Sequence, residues 1–307
     1  NGQGAVVLRE SGLLQIDGGT ATMRIFRTST TAVTHRGSFV MTGGTLNISG
    51  DNSGEGSFYA MFSLPYPENV FQMSGGTITI TRTVGGAITP RGGIMIASNA
   101  QNYQVTGGTV NVNVTGNQMF DITSTAPFYN FNIGKVSAGS GNVQLNAINW
   151  SFDGSGGNTA TVAAQPLRVL NNLVANGTIA VGVVGNNNNI EVGGNMTVNT
   201  GVTLSTGTGL LVFNGNLAQT FSMNGTVGVA GLGGLTVDKN PVTALNIAGS
   251  IATLPFSGGL NLLRGTLNDG SKTITFGGNL INNTVHAGLG RIVLNGTAAQ
   301  TIGGSGN

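Results

Sequence analysis

The sequence predicts an all-β chain, a β-solenoid of the right-handed, single-stranded parallel β-helix type with about three strands per rung. Three observations carry that expectation. Four segments repeat one pattern built around Gly-Gly-Thr. The composition of the 307 residues is rich in turn formers, with 53 Gly, and poor in charge, at 7% Asp, Glu, Lys and Arg. Finally, LVFNGNLAQTF (211–221) returns near the end of the chain as IVLNGTAAQTI (292–302).

The four segments are LLQIDGGTATM (13–23), FVMTGGTLNI (39–48), FQMSGGTITI (71–80) and YQVTGGTVNV (103–112). Side chains alternate across a strand, so apolar residues on either side of the glycines face one way. Superposing the segments gives columns of like residues: Leu14, Phe39, Phe71, Tyr103; Ile16, Met41, Met73, Val105; Ala21, Leu46, Ile78, Val110; Met23, Ile48, Ile80, Val112. The expected arrangement buries the aromatics Phe39, Phe71 and Tyr103 in neighbouring rungs. The Gly pair then forms an abrupt corner that needs positive φ and no Cβ.

Between the copies lie SFYAMF (57–62), GIMIAS (93–98) and QMFDIT (118–123), a third short strand for each rung. Glycine is too frequent for a helix. A propeller blade would call for antiparallel hairpins and longer repeats, of about 40–50 residues. Residues 1–126 are accordingly expected to form rungs of about 25–32 residues, and residues 127–307 a continuous second part with a longer multi-rung repeat of about 81–104 residues. In that part PFYNFNIGK (127–135) is echoed by GLGGLTVDK (231–239), IEVGGNMTV (190–198) by ITFGGNLIN (274–282), and NGTIAV (176–181) by RGTLND (264–269). The echoes are expected at equivalent corners of successive modules. The chain opens at Asn1 without Met, and residues 292–307 replay 211–226 before breaking off, so it is expected to be a fragment of a longer protein.

Composition also excludes. Hydrophobic residues make up 39% and the net charge is +2, which is incompatible with disorder. Twelve Lys and Arg against ten Asp and Glu, with no basic cluster, argue against nucleic acid as a partner. No apolar run of about 18 residues is present, so no helical membrane-spanning segment is expected. With no Cys there are no disulfides or thiolate metal sites.

Acid–base chemistry would rest on the ten Asp and Glu residues. Only Asp51 and Glu55, in GDNSGEGS (50–57), lie close in sequence, and they lack the order of a calcium-binding loop. Asp17 precedes its Gly pair, but Thr42, Ser74 and Thr106 occupy that column in the other copies, and Asp121 has no acidic counterpart. Polysaccharide hydrolysis needs two carboxylates about 5–10 Å apart. His35 and His286 have no ligand-spaced partners. No catalytic, cofactor-binding or metal residue is therefore assigned, no cofactor is expected, and the chain is not expected to be an enzyme. NNNN (186–189) reads as an exposed loop. Thr77, Thr79 and Thr81 read as an outward face whose array is too irregular to template ice. SLPYPEN (63–69) reads as an apolar insertion packed over the core rather than a binding loop.

Residues 127–307 resemble the large repetitive cell-surface proteins and adhesins of Bacteroidota, the kind exported by the type IX pathway. The resemblance rests on IVLNGTAAQTIGGSGN (292–307), LGGLTVDK (232–239) and ITFGGNLINN (274–283). It implies an extracellular location at the bacterial cell surface and a structural or adhesive role as a stiff stalk presenting binding loops. The partners it implies are surface glycans or other cell-surface proteins, together with further modules of the same chain. The type IX signal sits in a C-terminal domain absent from these residues, so that export route is implied by likeness alone. A polysaccharide lyase or hydrolase on the same fold, and a self-assembling extracellular filament subunit, are the alternative readings.

Overall fold

The structure is a computed structural model that describes residues 4–28, 36–50, 60–82, 92–151, 159–177 and 181–306. His35, Asp51, Glu55, Phe58, Tyr59 and Asp153 lie outside the described residues. The chain is a parallel β-solenoid, and contacts divide it into two compact units, Asn1–Pro166 and Leu167–Asn307.

In the first unit the Gly-Gly-Thr segments stack in the register read from sequence. Leu14 pairs with Phe39, Phe39 with Phe71 and Phe71 with Tyr103 on one side. After the corner, Ala21 pairs with Leu46, Leu46 with Ile78 and Ile78 with Val110, all in parallel. Ile25–Thr28, Phe62–Leu64, Gly92–Ile96 and Met119–Ser124 form the third side. The second glycine of each pair turns the corner, with φ of +68° at Gly19, +72° at Gly44, +77° at Gly76 and +88° at Gly108. At Gly76 a Cβ would also lie 2.6 Å from Met41 Cε and 2.7 Å from the Gly43 carbonyl oxygen. Only glycine satisfies both the dihedral and the space.

Inside these rungs Phe26, Phe39, Phe62 and Phe71 form a buried cluster with ring centroids 5.1–6.0 Å apart. Tyr103 departs from the expected burial. It is half-buried, because among the described residues its strand is the last of its side in this unit and no further strand stacks on the ring. Leu14, at the opposite end of the same column, is half-buried for the same reason.

The apolar insertion packs as structure. Tyr66 joins Ala60, Met95 and Ile148 in a small second core. Met95 points away from the solenoid interior, between the inward Ile94 and Ile96, so this core lies on the outer surface of the third side. The antiparallel pair Ile148–Ser151 and Thr159–Val162 contributes Ile148 and the partly buried Val162 to it. Asn69, fully buried, fastens the insertion. Its Oδ1 accepts from the Tyr66 N–H at 2.9 Å and the Thr28 hydroxyl at 3.1 Å, and its Nδ2 donates to the Gly37 carbonyl at 3.3 Å.

In the second unit one side runs Leu167, Ile190, Leu211, Leu235, Leu260, Leu280, Ile302 in register, and the rungs between these positions are unequal in length. The next side runs Met196, Phe221, Ile247, and one step along Gln219, Leu245, Leu267, His286. The third side holds Val183 on Leu204, and further along Leu254, Ile274, Ile292 with Phe256, Phe276, Leu294. The mean of roughly three strands per rung matches the sequence expectation.

Candidate functional site

The echo between residues 211–221 and 292–302 marks a corner with chemistry of its own. Asn214 and Gly215 follow the strand Leu210–Phe213, and Gln219, inward-facing and 1% exposed, begins the next. The Gln219 Oε1 accepts the Gly215 N–H at 3.0 Å, while Nε2 donates to the carbonyls of Val192 and Gly194 in the preceding rung, the first at 2.8 Å. Gln300 makes the same clasp. Its Oε1 accepts from Gly296 at 2.7 Å, and its Nε2 donates to Phe276 at 3.0 Å and Gly278 at 2.6 Å. Beneath each clasp lies a Gly-Gly-Asn corner, where Asn195 Oδ1 accepts the Thr220 N–H at 2.8 Å and Asn279 Oδ1 that of Thr301 at 2.9 Å. A tight corner strands backbone donors and acceptors, and the side-chain amide, with both functions, satisfies them together.

The two corners are alike in chemistry but do not occupy the same place in the rung, contrary to the sequence expectation. Strand Leu210–Phe213 belongs to the side that contains Leu235 and Leu260, whereas Arg291–Leu294 belongs to the side before it, with Phe256 and Phe276. From Val212, three rungs lead through Thr236 and Asn261 to Ile281, and the remaining stretch to Val293 crosses two further sides. The echoed strands ending at Lys135 and Lys239 also differ in place. Asn130–Lys135 pairs with the strand after a Gly-Gly corner, and Gly234–Asp238 with the strand before the Asn-Gly corner.

Lys239 was not anticipated. It is 1% exposed, and its Nζ donates to the Gly215 carbonyl at 3.0 Å, the Leu217 carbonyl at 2.8 Å and Gln219 Oε1 at 2.5 Å. Three neutral oxygens thus receive its three protons. Burial lowers its pKa from 10.5 to about 8. Lys239 stands one rung after Gly215, a separation that the unequal rungs of this unit do not mark in the sequence.

Other polar groups are also committed to neighbours. Asp17 accepts from the Thr42 hydroxyl at 2.6 Å and from Gln15 at 2.7 Å, bonds that lower its pKa. Buried Asp121 accepts from Gln144 at 2.6 Å. Asp238 pairs with Arg264 at 2.5 Å. Asp269 is fully buried. Its Oδ1 accepts the N–H groups of Ser271 and Gly290 at 2.8 and 2.9 Å, and its Oδ2 lies 2.9 Å from His286 Nε2. His286, half-buried on the last strand of its side, continues the inward column after Leu267. On the first unit's outward face, Asn111 donates to Thr79 at 3.2 Å and Asn132 to Asn111 at 2.8 Å, a ladder that bonds to itself. The NNNN segment is an exposed turn in part. Asn186 and Asn187 have positive φ, and the Oδ1 atoms of Asn187 and Asn189 accept the N–H groups of Thr208 and Leu210.

A groove lies on the outer surface of the second unit. Its volume is about 310 Å³, and Arg168, Leu170, Glu191, Asn214 and Asn216 line it with parts of the adjoining backbone. Arg168, Glu191 and Val212 stand in one outward column, one per rung. Leu170 is 46% exposed, and Leu217, next to Asn216, is 78% exposed. The groove presents a cation, a carboxylate and amides beside an exposed leucine. Such a lining offers hydrogen-bond donors and acceptors together. Glu191 is its single carboxylate, short of the pair that glycoside hydrolysis requires. Among the described residues no three His, Cys, Asp or Glu side chains cluster to hold a metal. Among them also, no helix is long and apolar enough to cross a membrane.

No family model, curated protein or solved structure matches this chain.

Proposed function

We propose that the chain is a structural and adhesive segment of a long exported bacterial surface protein. In this reading it is a stiff stalk at the cell surface, of the kind its second part resembles in Bacteroidota. The observation that carries the reading is where the polar side chains go. Gln219, Gln300, Asn195, Asn279, Lys239 and Asp269 are all spent on bonds between or within corners, so the sequence invests in stacking rather than in a reaction centre. A repeat that stacks on its neighbours yields a quasi-one-dimensional body suited to spacing and display. The groove at Arg168, Glu191, Asn214 and Asn216 is its place for a partner, and a surface glycan, with hydroxyl donors and acceptors on a partly apolar ring, fits that lining.

Two measurements test the reading. Protease treatment of intact producing cells should release peptides of this chain, and full protection until lysis would overturn the surface location. On a glycan array the purified chain should retain a subset of saccharides, with retention reduced in Arg168→Ala and Glu191→Gln. Cleavage of a polysaccharide, abolished by substituting one Asp or Glu, would replace the adhesive reading with the enzymatic one.

A further inference from the structure

We infer that the corner at Gly296–Gln300 is a socket for a lysine ammonium, delivered by a parallel β-rung of this same repeat type that stacks on it. The inference rests on the clasp geometry and is independent of the adhesive reading.

The first copy of the corner shows the socket filled. Gly215, Leu217 and Gln219 turn three oxygens towards one point, and Lys239 of the following rung places Nζ there at 3.0, 2.8 and 2.5 Å. The strand that brings Lys239 is itself in register on the corner strand, with Leu235 on Leu211 and Val237 on Phe213. Lys239 is thus two positions past the last inward apolar side chain, where the strand leaves the sheet.

The second copy repeats the bonds that hold the glutamine of the socket. Gln300 Oε1 is held by the Gly296 N–H, and its Nε2 is tied to the rung below through Phe276 and Gly278, as Gln219 is through Val192 and Gly194. Gly296, Ala298 and Gln300 correspond to Gly215, Leu217 and Gln219. The difference is in covering. Gly215 and Gln219 are buried, whereas Gly296 and Gln300 are half-buried, and Ile292 and Leu294, successors of the buried Ile274 and Phe276, are half-buried as well. The surface therefore combines an apolar strand, a row of strand-edge groups and a negative point formed by carbonyl and amide oxygens. A strand of the form L-T-V-x-K complements all three: Leu and Val cover Ile292 and Leu294, its backbone completes the ladder, and its ammonium meets the oxygens. A carboxylate in place of the lysine would face three acceptors with no donor.

The test extends residues 1–307 after Asn307 with a second copy of residues 227–250, which sets the new lysine as far beyond Asn307 as Lys239 is beyond Thr226. The added rung is expected to raise the thermal midpoint. Its lysine should resist amine acylation, read by mass spectrometry, with a rate at least about tenfold below that of the same lysine after unfolding. The same extension with that lysine changed to Glu should leave the midpoint of the parent chain unaltered. An extension whose lysine is acylated as fast as in the unfolded chain, or a Glu version that docks as tightly as the Lys version, would overturn the inference.

Discussion

Replacing Gln219 by Leu probes the corner clasp most directly. Leucine roughly preserves volume, so the effect is one of hydrogen bonding rather than of a cavity. The substitution leaves the Gly215 N–H, the Gly194 carbonyl and one proton of the Lys239 ammonium without their partner, while the Val192 carbonyl keeps the Asn214 N–H at 3.3 Å. A buried neutral group left unpaired costs about 1–3 kcal/mol, and a charged one more. Water reaching the exposed Asn216–Ala218 turn recovers part of this, which leaves a loss of about 3–5 kcal/mol. Gln300→Leu removes the same three neutral bonds at a half-buried corner with no ammonium above it, and about 1–2 kcal/mol is expected. Repeat proteins need not unfold in one step. The assay is therefore native-state hydrogen exchange at the Gly215 and Gly296 amides, alongside a denaturant titration. Equal losses at the two positions, or a Gln219→Leu loss below about 0.5 kcal/mol, would refute the argument that burial sets the value of the clasp.

Phe71→Ala, fully buried against Phe39 and Phe62, should cost about 3–5 kcal/mol in equilibrium unfolding, against well under half of that for Tyr103→Ala at the half-buried end of the same column. Gly76→Ala combines φ of +77° with a Cβ 2.7 Å from the Gly43 carbonyl, and a loss of at least about 2 kcal/mol, with local exchange opened at the neighbouring corner, is expected. Lys239, with its pKa lowered to about 8, is ammonium in both folded and unfolded chains below pH 8, where the folded state bears the full cost of burying it. Between about pH 8 and 10.5 the folded chain loses this proton first, so its contribution to stability rises with pH and levels off above that window; Lys239→Met should flatten that slope in urea titrations.

The rungs of the first unit were legible because both their period and their corner are written in residue identity. The Gly pair fixes the turn, and the apolar columns fix the register. The burial of Tyr103 was not legible, since it depends on how many strands stack on its side rather than on its own segment. The second unit was less transparent for a related reason. Its rungs are unequal in length, so a contact one rung away has no constant separation. Gly215 with Lys239, and the more closely spaced Asp269 with His286, therefore do not announce themselves as pairs. The outer core around Met95 and Tyr66 was hidden by alternation itself. A strand buried on both faces loses the polar positions that mark an outside, as Gly92–Ile96 does.

The displaced echo also separates what a corner needs from where a corner sits. Asn-Gly-x-x-Ala-Gln-Thr works at two different edges of the solenoid because every partner it uses is local: its own turn, the strand end and Gly-Gly-Asn corner directly below and, at the first copy, the strand that enters directly above. Nothing in that set senses which of the three sides it joins. A repeat whose length is not a whole number of rungs advances here by three turns and two sides, and the clasp moves round the molecule from one copy to the next. An exposed loop borne by the module would be displaced with it. Successive copies would present that loop on different sides of the stack, an arrangement that a strictly rung-periodic repeat cannot give. In a displaying role this distributes contact sites around the axis, while the same corner chemistry holds each one in place.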